Sequence, residues 1–281
     1  MPIKAGVLGK PIGHSLSPVL HYAAYRELGL PWTYERIEVD AAGLPVFVGG
    51  LGPEWAGVSV TMPGKRAALE FATGATPRAR AAGAANTLVR RESGWFADCT
   101  DVDGVVGALR AAGGFAAPPG STGVILGAGG TATATVVAFA ELGVKRARLV
   151  VRDPARATEA VAAAERAGVG VEVLTWSATD FAELVGDASV LVSTVPPAVV
   201  AEQAAVFAQA PCVLDVIYHP WPTPLAEAVT ARGGRVATGL DMLLHQAFGQ
   251  VEQFTGLAAP REAMRDALRS VTENILPLPL A

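Results

Sequence analysis

The sequence contains little cysteine and no histidine pattern typical of a metal site. Only two cysteines, Cys99 and Cys212, occur in 281 residues, which is too few for the disulfide framework of a small secreted domain. The four histidines share no metal-ligand spacing with one another or with the cysteines. The sequence therefore predicts neither a disulfide scaffold nor a metal site.

Charge is also scarce, and neither sign dominates. Charged residues make up 17% of the chain, and the formal net charge is -4, with both signs mixed along the sequence. Nucleic-acid-binding domains carry a basic patch, and many add aromatic side chains on which bases stack. This sequence has no such patch, so nucleic acid is not predicted as a partner.

Long apolar runs and targeting segments are absent as well. Residues 111–140 carry no charge, but they contain seven glycines and the pair Pro118-Pro119. We interpret this stretch as a linker, a strand and a glycine-rich turn. The first ten residues, MPIKAGVLGK, have the features of neither a signal peptide nor a transit peptide. We expect a cytoplasmic protein that does not enter a membrane.

Short apolar segments, in contrast, are plentiful and regularly spaced. Apolar residues make up 51% of the chain, enough for the cores of two domains. Between the short runs lie alanine-rich stretches of helical period, such as 131–142, 154–167 and 223–231. The predicted strands are 3–8, 33–39, 57–62, 86–90, 122–126, 147–151, 169–174, 189–193, 212–216 and 234–237. This alternation predicts an α/β fold with parallel sheets and helices on both faces.

The segment AAGGFAAPPGS, residues 111–121, marks a change in composition. A regular series of strands and helices follows from residue 122 to about 238. The last segments, GLDMLLHQAFGQVEQFTG and PREAMRDALRSVTENIL, predict helices with no strand after them. We therefore expect a second structural unit to begin near residues 111–121.

The clearest motif follows the predicted strand 122–126 and opens a helix. In VILGAGGTATA, Gly127, Gly129 and Ala132 have the spacing G-x-G-x-x-A, which in this context indicates a dinucleotide site. Gly127 permits a tight turn, and Gly129 allows the backbone to approach a pyrophosphate. The N–H groups at the helix start then face the phosphate charge. The alternative is a glycine turn in an ordinary βα unit.

The end of the next predicted strand distinguishes between the two nicotinamide cofactors. An acid at this point holds a ribose 2′-hydroxyl, and an arginine accommodates a 2′-phosphate. In LVVRDPAR, Arg152 lies at the strand end and Arg156 lies one helical turn later, so two guanidinium groups are available to a phosphate. Asp153 precedes a proline, a pattern typical of a helix N-cap. We predict NADP(H) rather than NAD(H).

The first hundred residues contain hydroxyl, amide and charged side chains at strand ends. GKPIGHSLSP contains Ser15 and Ser17, TMPGK contains Thr61 and Lys65, AANT contains Asn86, and DCTD contains Asp98 and Asp101. Taken singly, each has a structural interpretation: serines before a proline cap a helix, the asparagine closes a turn, the lysine is solvated, and the last aspartate caps the following helix. A hydride-transfer site, however, needs such groups at the reacting oxygen.

Taken together and in order, these motifs resemble those of the shikimate dehydrogenase family. The matching segments are GKPIGHSLSP, VSVTMPGK, GAANTL, ADCTDVDG, LGAGGTA, DVIYHPWPTPL and GLDMLLHQA. The resemblance covers nearly the whole chain and is closest to the bacterial biosynthetic form. It implies NADPH-dependent reduction of 3-dehydroshikimate to shikimate, in the route to aromatic amino acids.

The resemblance also implies roles for individual residues. It assigns Lys65 and Asp101 as the catalytic pair. The residues implied to bind substrate are Ser15, Ser17, Thr61, Asn86, Tyr218 and Gln246. The residues implied to bind the cofactor are Gly127, Gly129, Gly130, Thr131, Ala132, Arg152, Arg156, Ser193, Thr194, Val195, Gly239 and Met242.

Four positions depart from the family pattern. Ser59 and Cys99 stand where many members have asparagine. Val151 and Asp153 flank Arg152 at positions where the family often has asparagine and threonine. Cys99 removes an amide that could brace the loop before Asp101. Asp153 makes a strict preference for NADP less secure.

The implied architecture has two α/β domains with the active site in the cleft between them. Residues 1–101 with 239–281 would form the substrate domain, and 102–238 would form a Rossmann-type domain with a doubly wound parallel sheet. The predicted partner is a small-molecule substrate; a homodimer is compatible with the sequence, which does not determine the oligomeric state. Two alternatives stay open: an NAD-dependent quinate/shikimate dehydrogenase, and a catalytically silent relative that binds a ligand.

Overall fold

The computed structural model describes residues 3–280, in which strands and helices alternate along most of the chain. The strands are β1 (Lys4–Gly9), β2 (Thr33–Glu38), β3 (Trp55–Val60), β4 (Gly74–Ala75), β5 (Thr87–Arg91), β6 (Gly94–Asp98), β7 (Thr122–Leu126), β8 (Arg146–Val151), β9 (Gly170–Thr175), β10 (Val190–Ser193), β11 (Val213–Asp215) and β12 (Val236–Thr238). The helices are α1 (Ser17–Glu27), α2 (Leu44–Gly49), α3 (Lys65–Phe71), α4 (Pro77–Ala82), α5 (Asp101–Ala111), α6 (Gly130–Leu142), α7 (Thr158–Ala167), α8 (Phe181–Gly186), α9 (Pro197–Val200), α10 (Ala204–Phe207), α11 (Pro224–Ala231), α12 (Gly239–Thr255) and α13 (Arg261–Val271).

Capping residues explain where several of these helices begin and end. Thr76 and Thr223 precede prolines at the starts of α4 and α11, and each threonine hydroxyl accepts a hydrogen bond from the third backbone N–H beyond it. This arrangement satisfies an N–H group that has no partner within the helix. At the C-terminal end of α6, Gly143 adopts φ +87°, a left-handed conformation that ends the helix at little steric cost.

The chain forms two compact units. The first contains the chain up to Thr100 together with Leu243–Leu280, and the second contains Asp101–Met242. One boundary therefore falls between β6 and α5, and the other falls within α12. Each unit has a six-stranded sheet.

The sheet of the first unit is mixed, with strand order β2-β1-β3-β5-β6-β4. β1 runs parallel to β2 and β3, whereas β5 is antiparallel to both β3 and β6. The prediction of parallel sheets throughout is wrong for this part. β5 and β6 are joined by only Glu92 and Ser93, and a two-residue connection can only reverse the chain. β4 and β6 are absent from the predicted strands.

The sheet of the second unit is parallel throughout, with strand order β12-β11-β10-β7-β8-β9. Counted from β7, this is the order 6-5-4-1-2-3, the doubly wound arrangement of dinucleotide-binding folds. The direction of winding reverses between β7 and β10. Ligands in such sheets bind beyond the carboxyl ends of the strands at this switch point.

Each unit has its own apolar core. In the first, Leu8, Val58 and Leu88 project from the sheet into a cluster of buried side chains. In the second, Val124 and Leu191 pack in a cluster that includes Phe207. Burying apolar surface of this kind supplies about 25 cal/mol per Å², so each sheet has a separate source of stability. Within residues 3–280, no helix combines the length and apolarity needed to cross a membrane.

Candidate active site

The loops that follow β1 and β3 lie side by side at one edge of the first sheet. The Thr61 N–H donates to the Leu8 carbonyl oxygen at 2.8 Å, and the Lys10 N–H donates to the Met62 carbonyl oxygen at 3.0 Å. Because neighbouring parallel strands end at the same edge, these bonds continue the strand pairing into the loops. The two motifs GKPIGHSLSP and TMPGK are thereby brought together.

Ser15 and Ser17 lie in the loop after β1 and at the start of α1. Arg36 of β2 donates from Nε and Nη2 to the Ser15 carbonyl oxygen, at 2.9 and 2.7 Å. The Ser17 N–H lies 3.3 Å from the Ser15 Oγ and donates to it. Ser15 is half-buried and Ser17 is buried. The guanidinium of Arg36 therefore fixes the position of the loop that presents both hydroxyls.

Lys65 is the first residue of α3 and is half-buried. Its carbonyl oxygen accepts a hydrogen bond from the Ala85 N–H at 2.9 Å. This bond joins the start of α3 to the segment just before Asn86. Lys65 and Asn86 are thus held at the same edge of the sheet, as the combined motifs require.

Asn86 is the centre of a buried amide and hydroxyl network. Its Oδ1 accepts from the Thr100 N–H at 2.7 Å and from the Thr87 Oγ1 at 3.0 Å. Its Nδ2 donates to the Thr100 Oγ1 at 2.9 Å and to the Gln246 Oε1 at 3.1 Å. Asn86 and Gln246 are only 3% and 6% exposed. The structure therefore brings together these two predicted substrate residues and adds Thr100, which the sequence reasoning did not select.

A second buried network was not predicted. The Tyr34 hydroxyl donates to the Ser59 Oγ at 2.7 Å, and Ser59 donates to the Gln250 Oε1 at 2.9 Å. His21 stacks on Tyr34 with a ring-centroid distance of 3.9 Å, and its Nε2 lies 3.3 Å from the same Gln250 oxygen. Gln250 Nε2 also donates to the Asn86 carbonyl oxygen at 3.2 Å. Ser59, a departure from the family pattern, is thus an integral member of this network.

Burial controls protonation in this second network. Complete burial lowers the pKa of His21 to about 3, although its hydrogen bond with Gln250 acts in the opposite direction. Burial also raises the pKa of Tyr34. The imidazole and the phenol are therefore neutral near pH 7. The available sequence signal was the i, i+4 spacing of Gln246 and Gln250, which places both amides on one face of α12.

Asp101 is the first residue of α5 and the first residue of the second unit. Its side chain is 5% exposed, and it follows Thr100 directly. An acidic residue in the first turn of a helix is favoured by the partial positive charge of the exposed N–H groups. The interpretation of Asp101 as a helix-start residue and the interpretation of it as a functional residue are therefore compatible.

The glycine-rich turn in the second unit has the backbone that the motif predicts. Gly127 has φ +104°, and a Cβ added there would lie 2.5 Å from the Thr194 Oγ1. Only glycine fits this conformation and this close approach. Gly129 is the N-cap of α6, and a Cβ on Gly129 or Gly130 would meet no atom within 4 Å. The space in front of the helix start is therefore open to a ligand.

A groove of about 250 Å³ lies beside this turn. The residues that line it are Gly127, Ala128, Gly129, Val150, Val151, Arg152, Asp153, Arg156, Trp176, Thr194, Val195, Pro196 and Val199. Arg152 and Arg156 are exposed to solvent at its rim. The Asp153 Oδ1 accepts from the Ala155 N–H at 3.0 Å, which confirms the predicted N-cap. That oxygen accepts within its own helical turn, and the guanidinium groups of Arg152 and Arg156 line the same end of the groove.

Some of the predicted cofactor residues have buried side chains. Ala132 and Ser193 are fully buried, and the Ser193 Oγ has no hydrogen-bond partner. Thr131, in the first turn of α6, is half-buried, as are Thr194 and Val195. Ala132 and Ser193 therefore present no side-chain surface, whereas Thr194 and Val195 contribute surface to the groove.

The remaining predicted site residues of the second unit lie after β11 (Tyr218) and in the first turn of α12 (Gly239 and Met242). A Cβ on Gly239 would lie 2.0 Å from the Val216 carbonyl oxygen and 2.8 Å from the Tyr218 ring. The close packing of the β11 exit against the start of α12 therefore excludes any side chain at position 239. Burial raises the pKa of Tyr218, so its hydroxyl is neutral near pH 7. Met242 is 8% exposed.

Two family models match parts of the chain. The model described as shikimate dehydrogenase substrate binding domain matches residues 7–88. The model described as shikimate 5'-dehydrogenase C-terminal domain matches residues 239–269. Both matched segments lie largely in the first unit, and the first includes the loops after β1 and β3.

Three full-length comparisons agree with these models. Shikimate dehydrogenase (NADP(+)) of Methylobacterium radiotolerans is 40% identical over 276 residues, which are 95% of each chain. The crystal structure of Mycobacterium tuberculosis shikimate dehydrogenase is 58% identical, with a TM-score of 0.89 over 96% of this chain and 100% of that one. A Thermus thermophilus shikimate 5-dehydrogenase, solved with NADP(H) and shikimate, is 30% identical, with a TM-score of 0.79 over 95% of this chain and 99% of that one. The α/β fold with a Rossmann-type second domain is confirmed, and this chain belongs to the shikimate dehydrogenase family.

Proposed function

We propose that this protein is an NADP-dependent shikimate dehydrogenase. In this proposal it catalyses the reversible reduction of the 3-dehydroshikimate ketone to the shikimate alcohol, a step in the biosynthesis of chorismate and the aromatic amino acids. The observation that carries the proposal is that one chain of this family contains both a polar substrate region and a dinucleotide groove. The first unit gathers hydroxyl, amide and amine groups at one sheet edge, and the second has a dinucleotide groove rimmed by Arg152 and Arg156.

The groups at the sheet edge suit a small substrate with one carboxylate and several hydroxyls. We assign the carboxylate to the hydroxyls of Ser15 and Ser17, and the substrate hydroxyls to the other polar side chains. Those side chains are Thr61, Asn86 and Gln246 of the first unit, together with Tyr218 of the second. A site that hydrogen-bonds hydroxyls rejects analogues that lack them, because its polar groups are then left unpaired. The dense network around Asn86 supports this assignment, since it fixes the amide orientations.

The groove in the second unit fits NADP(H). The open space before Gly129 and Gly130 accommodates a pyrophosphate at the N-terminus of α6. Arg152 and Arg156 would hold the 2′-phosphate, because a guanidinium group can donate two parallel hydrogen bonds to two oxygens of one phosphate. Thr194 and Val195, with Gly239 and Met242, are assigned to the nicotinamide end. The bound cofactor supplies the hydride, and the chain supplies its orientation.

Lys65 and Asp101 handle the proton in the proposed mechanism. The Lys65 ammonium donates a hydrogen bond or a proton to the ketone oxygen as negative charge develops there. In this proposal Asp101 orients that ammonium and pairs with its charge. The bond between the Lys65 carbonyl oxygen and the Ala85 N–H supports this role, since it fixes the backbone from which the amine extends.

The experiment that tests the function compares two alcohols and two cofactors. Purified protein is mixed with shikimate or quinate and with NADP⁺ or NAD⁺, and the absorbance of the reduced cofactor is followed. We expect the highest kcat/KM for shikimate with NADP⁺. A higher kcat/KM for quinate with NAD⁺ would establish the quinate-type enzyme instead. Binding of shikimate without turnover in any pairing would establish a catalytically silent relative.

We also propose which unit binds each ligand and where in the cell the protein acts. The first unit would bind the substrate and the second would bind the cofactor, with boundaries near residues 101 and 239. The low cysteine content, two in 281 residues, supports a cytoplasmic location, where disulfide scaffolds are rare. A homodimer is compatible with the sequence, and sedimentation of the purified protein would measure whether one forms.

A further inference from the structure

The Asp98 carboxylate, at the end of β6, receives an unusual number of hydrogen bonds. Its Oδ1 accepts from Thr76 Oγ1 at 2.6 Å, from Arg78 Nε at 2.8 Å and from the Cys99 N–H at 2.8 Å. Its Oδ2 accepts from Arg78 Nη2 at 2.5 Å and from Gln253 Nε2 at 2.8 Å. Asp98 is 2% exposed. A buried carboxylate is stable only when its oxygens are satisfied in this way.

The donors come from parts of the first unit that are distant in sequence. Arg78 is the second residue of α4, and Thr76 is the N-cap of that helix. The Thr76 hydroxyl accepts from the Ala79 N–H at 3.2 Å while it donates to Asp98. Gln253 lies near the end of α12. The Asp98 carboxylate therefore joins α4, β6 and α12.

The turn after Asp98 is held by side chains at consecutive residues. Asp98 accepts the Cys99 N–H, and the Asn86 Oδ1 accepts the Thr100 N–H at 2.7 Å. Helix α5 begins at the next residue, Asp101. No unconstrained residue therefore separates Asp98 from the start of the helix. Cys99 has no side-chain amide with which to brace the turn, whereas the Asp98 carboxylate accepts a hydrogen bond from the Cys99 N–H from the preceding position.

We propose that Asp98, clamped by Arg78, Thr76 and Gln253, is the positioning residue for the turn that carries Thr100 and Asp101. This inference rests on the proposed function, in which Asp101 orients the Lys65 ammonium. Asp98 acts through the backbone of the turn, whereas Asp101 acts on the reacting groups. A catalytic carboxylate must be held to within about half an ångström of its productive position. Loosening the turn therefore lowers kcat more than it affects cofactor binding.

The first test uses two separate variants. One removes the charge of the Asp98 carboxylate, and the other replaces the guanidinium group of Arg78 by an amine. We expect Asp98→Asn to lower kcat by about 10- to 100-fold and Arg78→Lys by about 3- to 10-fold, a part of the 10²- to 10⁴-fold that acid–base catalysis contributes. The KM for NADPH should stay within about twofold of the wild-type value, since the groove is untouched. Asp266→Asn is the matched control, because it removes the exposed ion pair with Arg265, and its kcat should equal that of the wild type.

A double-mutant cycle separates positioning from a general loss of structure. If Asp98 acts through the catalytic pair, Asp98→Asn should lower the residual kcat of the Lys65→Ala variant by less than about twofold. A loss as large as that in the wild-type background would overturn the inference. If Asp98→Asn does not fold, Arg78→Lys takes its place in the cycle. Its effect on the Lys65→Ala variant should again be less than about twofold, and a loss as large as that in the wild-type background would again overturn the inference.

Hydrogen exchange provides a readout that does not depend on turnover. Peptides covering residues 99–105 should exchange faster in Asp98→Asn than in the wild type or in Asp266→Asn. Unchanged exchange in these peptides, or a kcat within twofold of the wild-type value in a folded variant, contradicts the positioning role. Absence of shikimate turnover in the wild-type protein would contradict the proposed function alone, and the exchange rates would still decide whether Asp98 braces the turn.

Discussion

At the scale of single residues, Lys65 combines a fixed backbone with a long side chain. The start of α3 is anchored by the hydrogen bond between the Lys65 carbonyl oxygen and the Ala85 N–H, so the amine extends from a defined point. The segment before it contains Met62, which is 76% exposed, although its alternation with Val58 and Val60 is typical of a buried strand. The strand ends at Val60, and the polar sheet edge begins at Thr61.

The role of Lys65 leads to a prediction about a single substitution. We expect Lys65→Ala to lower kcat for shikimate oxidation by about 10²- to 10⁴-fold, because the reacting oxygen loses its proton donor or acceptor. The Kd for NADPH, measured by fluorescence titration, should stay near the wild-type value. Arg66→Ala is a matched control, since it removes the neighbouring cation, which pairs with Glu70 at 2.8 Å on the surface. Turnover retained in Lys65→Ala, or lost equally in Arg66→Ala, would contradict the assignment.

At the scale of elements, the sequence predicted those strands and turns that are determined by the order of neighbouring residues. The predicted strand 122–126 coincides with β7, and the glycines after it adopt the expected turn. These features depend on the order of neighbouring residues. The hairpin strand β6 was missed because GWFAD contains no β-branched residue. Its place in the sheet depends on its pairing with β5.

The candidate site follows the same division. The positions of Ser15, Lys65 and Asn86 in motifs could be found from the sequence, because the residue types and their order match a family. The hydrogen bonds of Gln250 with His21 and Ser59 span 229 and 191 residues, and no local pattern contains information about such contacts. Asp98 was visible as an acid in a motif, but its five donors become apparent only in the folded chain.

The arginines at the end of β8 give a prediction about cofactor choice. We expect Arg152→Ala to raise the KM for NADPH by about 10-fold or more, since a charge-assisted contact with a phosphate contributes about 1.5–3 kcal/mol. The KM for NADH should change little, because NADH has no 2′-phosphate. Arg146→Ala removes an exposed arginine at the other end of the same strand and should leave both KM values unchanged. Equal losses with NADPH and NADH would indicate a folding defect instead.

The network that joins α1, β2, β3 and α12 gives a prediction about pH. His21 has a pKa of about 3 in the folded protein and about 6.5 when unfolded. Between these values the unfolded state binds more protons, so the free energy of unfolding falls as the pH is lowered. The slope from this group approaches about 1.4 kcal/mol per pH unit. His21→Gln removes the titrating group and should therefore show a shallower loss of stability.

Urea denaturation at several pH values between 7 and 4 measures this difference. At pH 7 the variant should be less stable than the wild type by about 1–3 kcal/mol, because buried partners such as Gln250 lose a hydrogen bond. The gap between the two proteins should shrink as the pH falls below 6. His245, whose pKa burial also lowers, contributes equally to both proteins. Parallel stability curves for the two proteins would contradict the assignment of a neutral His21.

At the scale of the whole molecule, the two units differ in how the chain builds them. The first unit is discontinuous, because Leu243–Leu280 joins residues that precede Thr100. The second is the continuous stretch Asp101–Met242, with a complete six-stranded parallel sheet and its own apolar core. All residues that line the dinucleotide groove lie within this stretch. We therefore expect the second unit to fold and to bind the cofactor without the first.

We accordingly predict that a fragment of residues 101–242 folds on its own and binds NADP⁺. It should unfold in one cooperative transition, and NADP⁺ at about 100 times its Kd should raise the free energy of unfolding by about 2.7 kcal/mol. The same fragment with Arg152→Ala should stay folded but gain less stability from NADP⁺, because the 2′-phosphate loses a guanidinium partner. Thermal denaturation with and without NADP⁺ measures both effects. Loss of cooperativity would show that the sheet needs the first unit to fold, and a folded fragment that NADP⁺ does not stabilise would show that the groove needs residues outside 101–242.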